Sequence, residues 1–81
     1  MNINIMNTDW TLIDVSGDKQ ISNQGSTVVR LKQSASKPTE TNDGLLLSNY
    51  SQPYASVIIT GSDPVWALPI GVSGRLNVQV I

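Results

Sequence analysis

Apolar residues recur at every second position along most of this chain, and that period limits its fold more than any other feature. In "NINIM", Ile3 and Ile5 alternate with Asn2 and Asn4. In "WTLIDV", Trp10 and Leu12 point one way, Ile13 and Val15 the other. In "STVVRLKQS", Val29 and Leu31 oppose Arg30 and Lys32, and in "RLNVQVI" Leu76, Val78 and Val80 oppose Arg75, Asn77 and Gln79. Successive side chains of a strand point to opposite faces, so this is the pattern of strands with one buried and one wet face. No window carries the period of an amphipathic helix, and no substantial helix is expected.

Turn signals break the pattern at short intervals: Ser16-Gly17-Asp18, Asn23-Gln24-Gly25, Asn42-Asp43-Gly44, Ser51-Gln52-Pro53, Gly61-Ser62-Asp63-Pro64 and Ser73-Gly74. Glycine supplies positive φ, and Asx side chains bond nearby backbone. About six to eight short strands at this spacing predict an all-β fold, a small antiparallel β-sandwich or barrel. The 81 residues make one domain. Residues 1–8 are either the first strand of its sheet or a docking strand for another chain. The stretch 34–44, "SASKPTETNDG", reads as an exposed loop, either a crossover connection or a contact loop that orders against a partner. The terminal "VWALPIGVSGRLNVQVI" reads as a hairpin, with "PIGV" ending one strand and "RLNVQVI" returning antiparallel to it.

Composition narrows the chemistry. There is no cysteine and no histidine. That removes disulfides, thiolate metal sites and the commonest general base. Gly71-Val72-Ser73-Gly74 is one residue short of a nucleophile elbow, and a strand follows it where the elbow needs a helix. Of the six acids, Asp18, Asp43 and Asp63 sit in turns, where an aspartate caps backbone. Asp9, Asp14 and Glu40 are scattered, and "TNDG" is too sparse for calcium. The expectation is no catalytic residue, no metal and no cofactor.

The net charge is −1, and Lys19, Arg30, Lys32, Lys37 and Arg75 form no basic stripe. No nucleic-acid partner is expected. Apolar runs such as "LLL" and "VII" fall far short of the about 20 residues of a membrane-spanning helix, so no membrane partner is expected. "MNINIMNTDW" has neither a basic start nor a long apolar segment and does not read as a leader. Charged residues make up 14% of the chain, against roughly 25% in an average protein. Ser, Thr, Asn and Gln replace them, and a neutral polar surface desolvates at lower cost than a charged one. Oligomerisation is the remaining way to staple so small a fold.

Five residues are candidate partner contacts: Ile3, Ile5, Trp10, Tyr50 and Tyr54. Ile3 and Ile5 would dock if residues 1–8 add to another sheet. Trp10 suits either core or interface, while Trp66 lies in an apolar strand and is expected in the core. Tyr50 and Tyr54 flank Pro53 beside Asn and Gln, where they could pack, anchor a protein contact or stack on a sugar ring. Asn49-Tyr50-Ser51 forms a glycosylation sequon that reads as chance.

Two stretches carry a family resemblance. "STVVRLKQSASKPTETNDGLLL" runs from a strand through a "QSA-x-x-P" loop to an acidic-Gly turn and a short apolar segment. "VIITGSDPVWALPIGVSGRLNVQV" runs through strand, turn, "VWA", a glycine-serine turn and a closing strand. Over about residues 10–81 this resembles the small β-structured virion proteins of tailed bacteriophages, the head-decoration, head-fibre and minor structural proteins. The resemblance implies a non-enzymatic virion component. It would act as a homo-oligomer, with a trimer favoured, bound to the major capsid protein or another virion protein, and it would be located in the phage particle. It transfers no individual binding residue. A carbohydrate- or receptor-binding module on the virion is the alternative.

Overall fold

The computed structural model describes residues 1–49 and 55–81. Eight strands form two four-stranded antiparallel sheets packed face to face, the sandwich expected from the period of two. They are β1 (Asn2–Met6), β2 (Thr11–Ile13), β3 (Lys19–Asn23), β4 (Val29–Gln33), β5 (Leu45–Leu47), β6 (Ser56–Ile59), β7 (Val65–Pro69) and β8 (Ser73–Val80). One sheet has the order β1-β8-β3-β6, the other β2-β7-β4-β5. They are called the first and second sheet below.

The pairings β1 with β8, β2 with β7, β3 with β6 and β4 with β5 are those of one long hairpin, with the first half of the chain laid along the second. Rolling that hairpin adds β3–β8 and β4–β7, which close the two sheets. This is the connectivity of an eight-stranded jelly roll. Successive strands fall in different sheets except β4 and β5. The loop 34–44 therefore joins two neighbours of one sheet and is not a crossover.

The same topology corrects the C-terminal hairpin. β7 and β8 lie in opposite sheets. Ile70 N still donates to Val28 O in the second sheet, and Val72 O already accepts from Asn7 N in the first. Gly71 alone separates the two ladders. The period of two places Val65 and Ala67 inward on one arm and Leu76 and Val78 inward on the other. It does not say whether the arms lie side by side or face each other, and here they face each other across the core.

That core holds Ile5, Ile13, Ile21, Val29, Leu31, Leu47, Ile59, Val65, Ala67, Leu76 and Val78, with Ile3, Val15 and Val57 packed against it. Val80 shares the inward face but is 66% exposed. It lies opposite Lys19, past the last β1–β8 pair, and among the described residues no strand flanks it on its other side. Two details show how tight the fit is. Gly74 faces inward, and a Cβ there would stand 3.1 Å from Val29 Cγ2 and 3.2 Å from Ile5 Cγ1. Asn23 is buried with its amide fully used: Nδ2 donates to Thr27 O (2.8 Å) and Leu47 O (3.2 Å), and Oδ1 accepts from Gly25 N (3.0 Å). It fastens β3 to the opposite sheet with no unpaired polar atom.

Two outcomes follow from this packing. A chain truncated after Arg75 loses Leu76 and Val78 and the central strand of the first sheet, and should show no cooperative thermal transition by circular dichroism. Persistence of a sharp melt would show β8 to be dispensable. Gly44 has φ +88°, and a Cβ on it would lie 2.3 Å from Leu31 O. Gly44→Ala should therefore cost at least about 2 kcal/mol in urea unfolding.

Candidate functional site

The two outer faces of the sandwich differ. On the first sheet the pairings align Asn2, Asn77, Ser22 and Ser56 in one row across all four strands. Asn77 Nδ2 donates to Asn2 Oδ1 (2.8 Å), the Ser22 and Ser56 hydroxyls are 3.1 Å apart, and Gln20 Nε2 donates to Ser56 Oγ (2.9 Å). Asn4, Arg75 and Gln79 extend this face. Amides and hydroxyls make up most of this face, several of them bonded to one another, with Arg75 as a cation and the exposed side chains of Ile58 and Met6 among them.

β1 forms one edge of that sheet. Met1 and Val78 exchange backbone hydrogen bonds at 2.8 Å, and Asn7 N donates to Val72 O at 3.1 Å. In an antiparallel pair such residues alternate with unbonded ones. The odd residues of β1 therefore bond β8, and Asn2, Asn4 and Met6 aim their N–H and C=O groups at the open edge.

The outer face of the second sheet is apolar along β2 and β7 and carries Arg30 and Lys32 on β4. Leu12 pairs with Trp66, and one step further along the same register Trp10 falls beside Leu68. Trp10 and Leu68 are buried although they stand outside the core cluster. The loop 34–44 is fastened to this face. Trp66 Nε1 donates to Ser34 O (3.0 Å), Arg30 donates to Asn42 O (3.3 Å), and Thr41 flanks Leu68. Lys32 pairs with Asp43 at 3.1 Å and Lys37 with Asp9 at 2.6 Å. The Lys37 ammonium and the Trp10 N–H hold the Asp9 carboxyl below the usual aspartate range, and the Gly44 N–H and Lys32 do the same for Asp43. The loop is a cover, tied at both ends.

A groove of about 290 Å³ opens at one end of the sandwich. Leu12, Val15, Pro64 and Trp66 contribute its apolar walls, and Asp14 and Asp63 lie on its rim. Lys19 reaches it from inside. The burial of β3 alternates so that Lys19, Ile21 and Asn23 face the interior. Lys19 is 2% exposed, and among the described residues the ion pairs are Lys32–Asp43 and Lys37–Asp9, neither of which involves it.

These positions revise several sequence expectations. Ile5 is 1% exposed and belongs to the core, and Ile3 packs against that core. Residues 1–8 are bound into the chain's own sheet through β1, and only the outward edge of β1 is open. Trp10 is 6% exposed beneath the outer-face cover, with Nε1 unpaired among the described residues. Trp66, expected in the core, faces outward because the period places Val65 and Ala67 inward. Ile3, Ile5 and Trp10 therefore form no common exposed patch. Tyr50 and Tyr54 lie outside the described residues. Sequence reading missed Lys19, although its place two residues before Ile21 was the available signal. Ser73 starts β8 exposed, opposite Met6. Among the described residues no three His, Cys, Asp or Glu side chains gather as a metal site.

Comparison with protein-family models, with curated proteins and with solved structures finds no match.

The lowered carboxyl pKa values give the loop an acid limit. A folded-state pKa below the unfolded value stabilises above the unfolded pKa, and that contribution is lost as pH falls through the folded one. Free aspartate titrates near about 3.9. Tryptophan fluorescence should therefore stay constant from neutral pH to about 5 and change below about 4 as the cover loosens. Asp9→Asn with Asp43→Asn should remove that step and leave the circular dichroism unchanged. An identical acid step in the double variant would place its cause elsewhere.

Proposed function

We propose that this chain is a structural protein of a tailed-bacteriophage virion that decorates the head as a homo-oligomer, a trimer by preference. It acts by binding the major capsid protein or another virion protein, not by catalysis. The observation that carries the reading is the outer face of the first sheet, mostly uncharged amides and hydroxyls, with the open β1 edge beside it. Amides and hydroxyls already paired with one another lose little when water leaves, whereas charged groups lose much. An open edge adds directional main-chain bonds to such a contact. The jelly roll agrees by fold analogy, since that architecture serves in viral capsid and lectin domains. The sequence resemblance points the same way.

A carbohydrate- or receptor-binding module is the second reading. The groove at Lys19 and Trp66 favours it.

Mass spectrometry of purified virions should find the protein in many copies per particle, and a chain confined to infected-cell lysate and absent from particles overturns the head-decoration reading. Asn4→Pro tests the edge separately. Proline is tolerated on an edge strand where its missing N–H faced outward. The variant should melt within a few degrees of the parent, and native mass spectrometry should show at least about a tenfold loss of self-association. An unchanged oligomer would remove β1 from the contact.

A further inference from the structure

We propose that the groove beside Lys19 binds an acidic monosaccharide, a pyranose ring that carries a carboxylate. This deepens the carbohydrate-binding reading and rests on it, and the head-decoration reading stands apart.

Lys19 is the first reason. Its side chain is buried between the sheets, lines the groove, and has no carboxylate partner among the described residues. The stem is buried and the ammonium stays accessible, without a counter-charge among the described residues, so it is free to take an anionic partner. An anion entering the groove supplies the missing partner through a charge-assisted hydrogen bond.

The rest of the groove says what carries the anion. Its volume of about 290 Å³ falls just short of the roughly 300–1,000 Å³ of small-molecule pockets. The volume suits one sugar ring. Trp66 lines the groove, and its bond to Ser34 O fixes the indole as a wall. An aromatic wall suits the apolar C–H face of a pyranose. Asp14 and Asp63 at the rim are exposed acceptors for hydroxyl donors. Two rim carboxylates also oppose a doubly charged phosphate. A simple aliphatic acid would satisfy Lys19 and leave both acceptors unused. A carboxylate, a ring face and several hydroxyls together match a uronic acid.

The test is titration of the isotope-labelled protein with galacturonate and glucuronate, followed by amide and indole NMR. Shifts should appear at Gly17, Gly61 and the Trp66 indole, with dissociation constants on the order of 1–10 mM for so small a ligand. Galactose and glucose should bind at least about tenfold more weakly. Lys19→Met should fold as well as the parent and lose at least about tenfold in uronate affinity. If that variant fails to fold, the comparison of acidic with neutral sugars in the parent protein decides. Neutral sugars that bind the same groove equally well overturn the acidic preference and leave the carbohydrate reading intact. Acetate that shifts the same signals as strongly overturns the sugar. Uronate affinity retained in Lys19→Met overturns the role of Lys19. No shift with any sugar up to about 50 mM overturns the inference and the carbohydrate reading together.

Discussion

The double pairing of β8 is the constraint on which the rest of the fold depends. This strand is in register with β1 on one side and with β3 on the other, so it holds three of the four strands of the first sheet together. Its inward Leu76 and Val78 join the core, while Arg75, Asn77 and Gln79 point to the outer face. One residue of slip would exchange these two sets. The core side fixes the register, and the register in turn aligns the Asn2–Asn77 and Ser22–Ser56 pairs. The surface proposed for virion contact is therefore a consequence of how the opposite face of the same strands is buried.

The second sheet meets a different problem. Trp10, Leu12, Trp66 and Leu68 all point outward, and an open apolar face of that size would invite association. The loop 34–44 covers part of it. Exposed ion pairs contribute little on their own, so Lys37–Asp9 and Lys32–Asp43 serve mainly to hold the loop in place. The enduring gain is the apolar surface of Trp10 and Leu68 removed from water. The two faces thus differ: the first sheet presents mainly hydrogen-bonding groups outward, and the second covers part of its apolar side chains with its own chain while Leu12 and Leu46 stay exposed.

Legibility in the sequence followed side-chain chemistry at inward positions. β4 and β8 were readable because their inward residues are apolar and their outward ones polar. Three turn glycines were readable as well, since Gly17, Gly44 and Gly61 adopt positive φ, but Ser73-Gly74, also read as a turn, lies inside β8. β3 gave the weakest signal of the central strands, because Lys19 and Asn23 occupy two of its three inward positions. Asn23 is tolerated there because three hydrogen bonds satisfy it, and Lys19 because the groove reaches it. Both reasons are tertiary, and neither has a local signature. The same lysine is the centre of the candidate site, so one irregularity hid both the strand and the groove.

The sequence by itself determined the fold class, the sides of most strands and the turns at Gly17, Gly44 and Gly61, because alternation and glycine chemistry act within a few residues. Only the tertiary structure decided which sheet each strand joins. Gly71 carries the chain from one sheet to the other in a single residue, a step that reads locally like a hairpin turn. The tertiary structure also decided that, of two tryptophans on the same outer face, Trp10 is buried and Trp66 only half-buried. The fate of an outward residue depends on what the chain lays over it, and here that cover is a loop separated from Trp10 by more than twenty residues of sequence. Period two assigns a side chain to a face, but burial is settled by the partner that face meets.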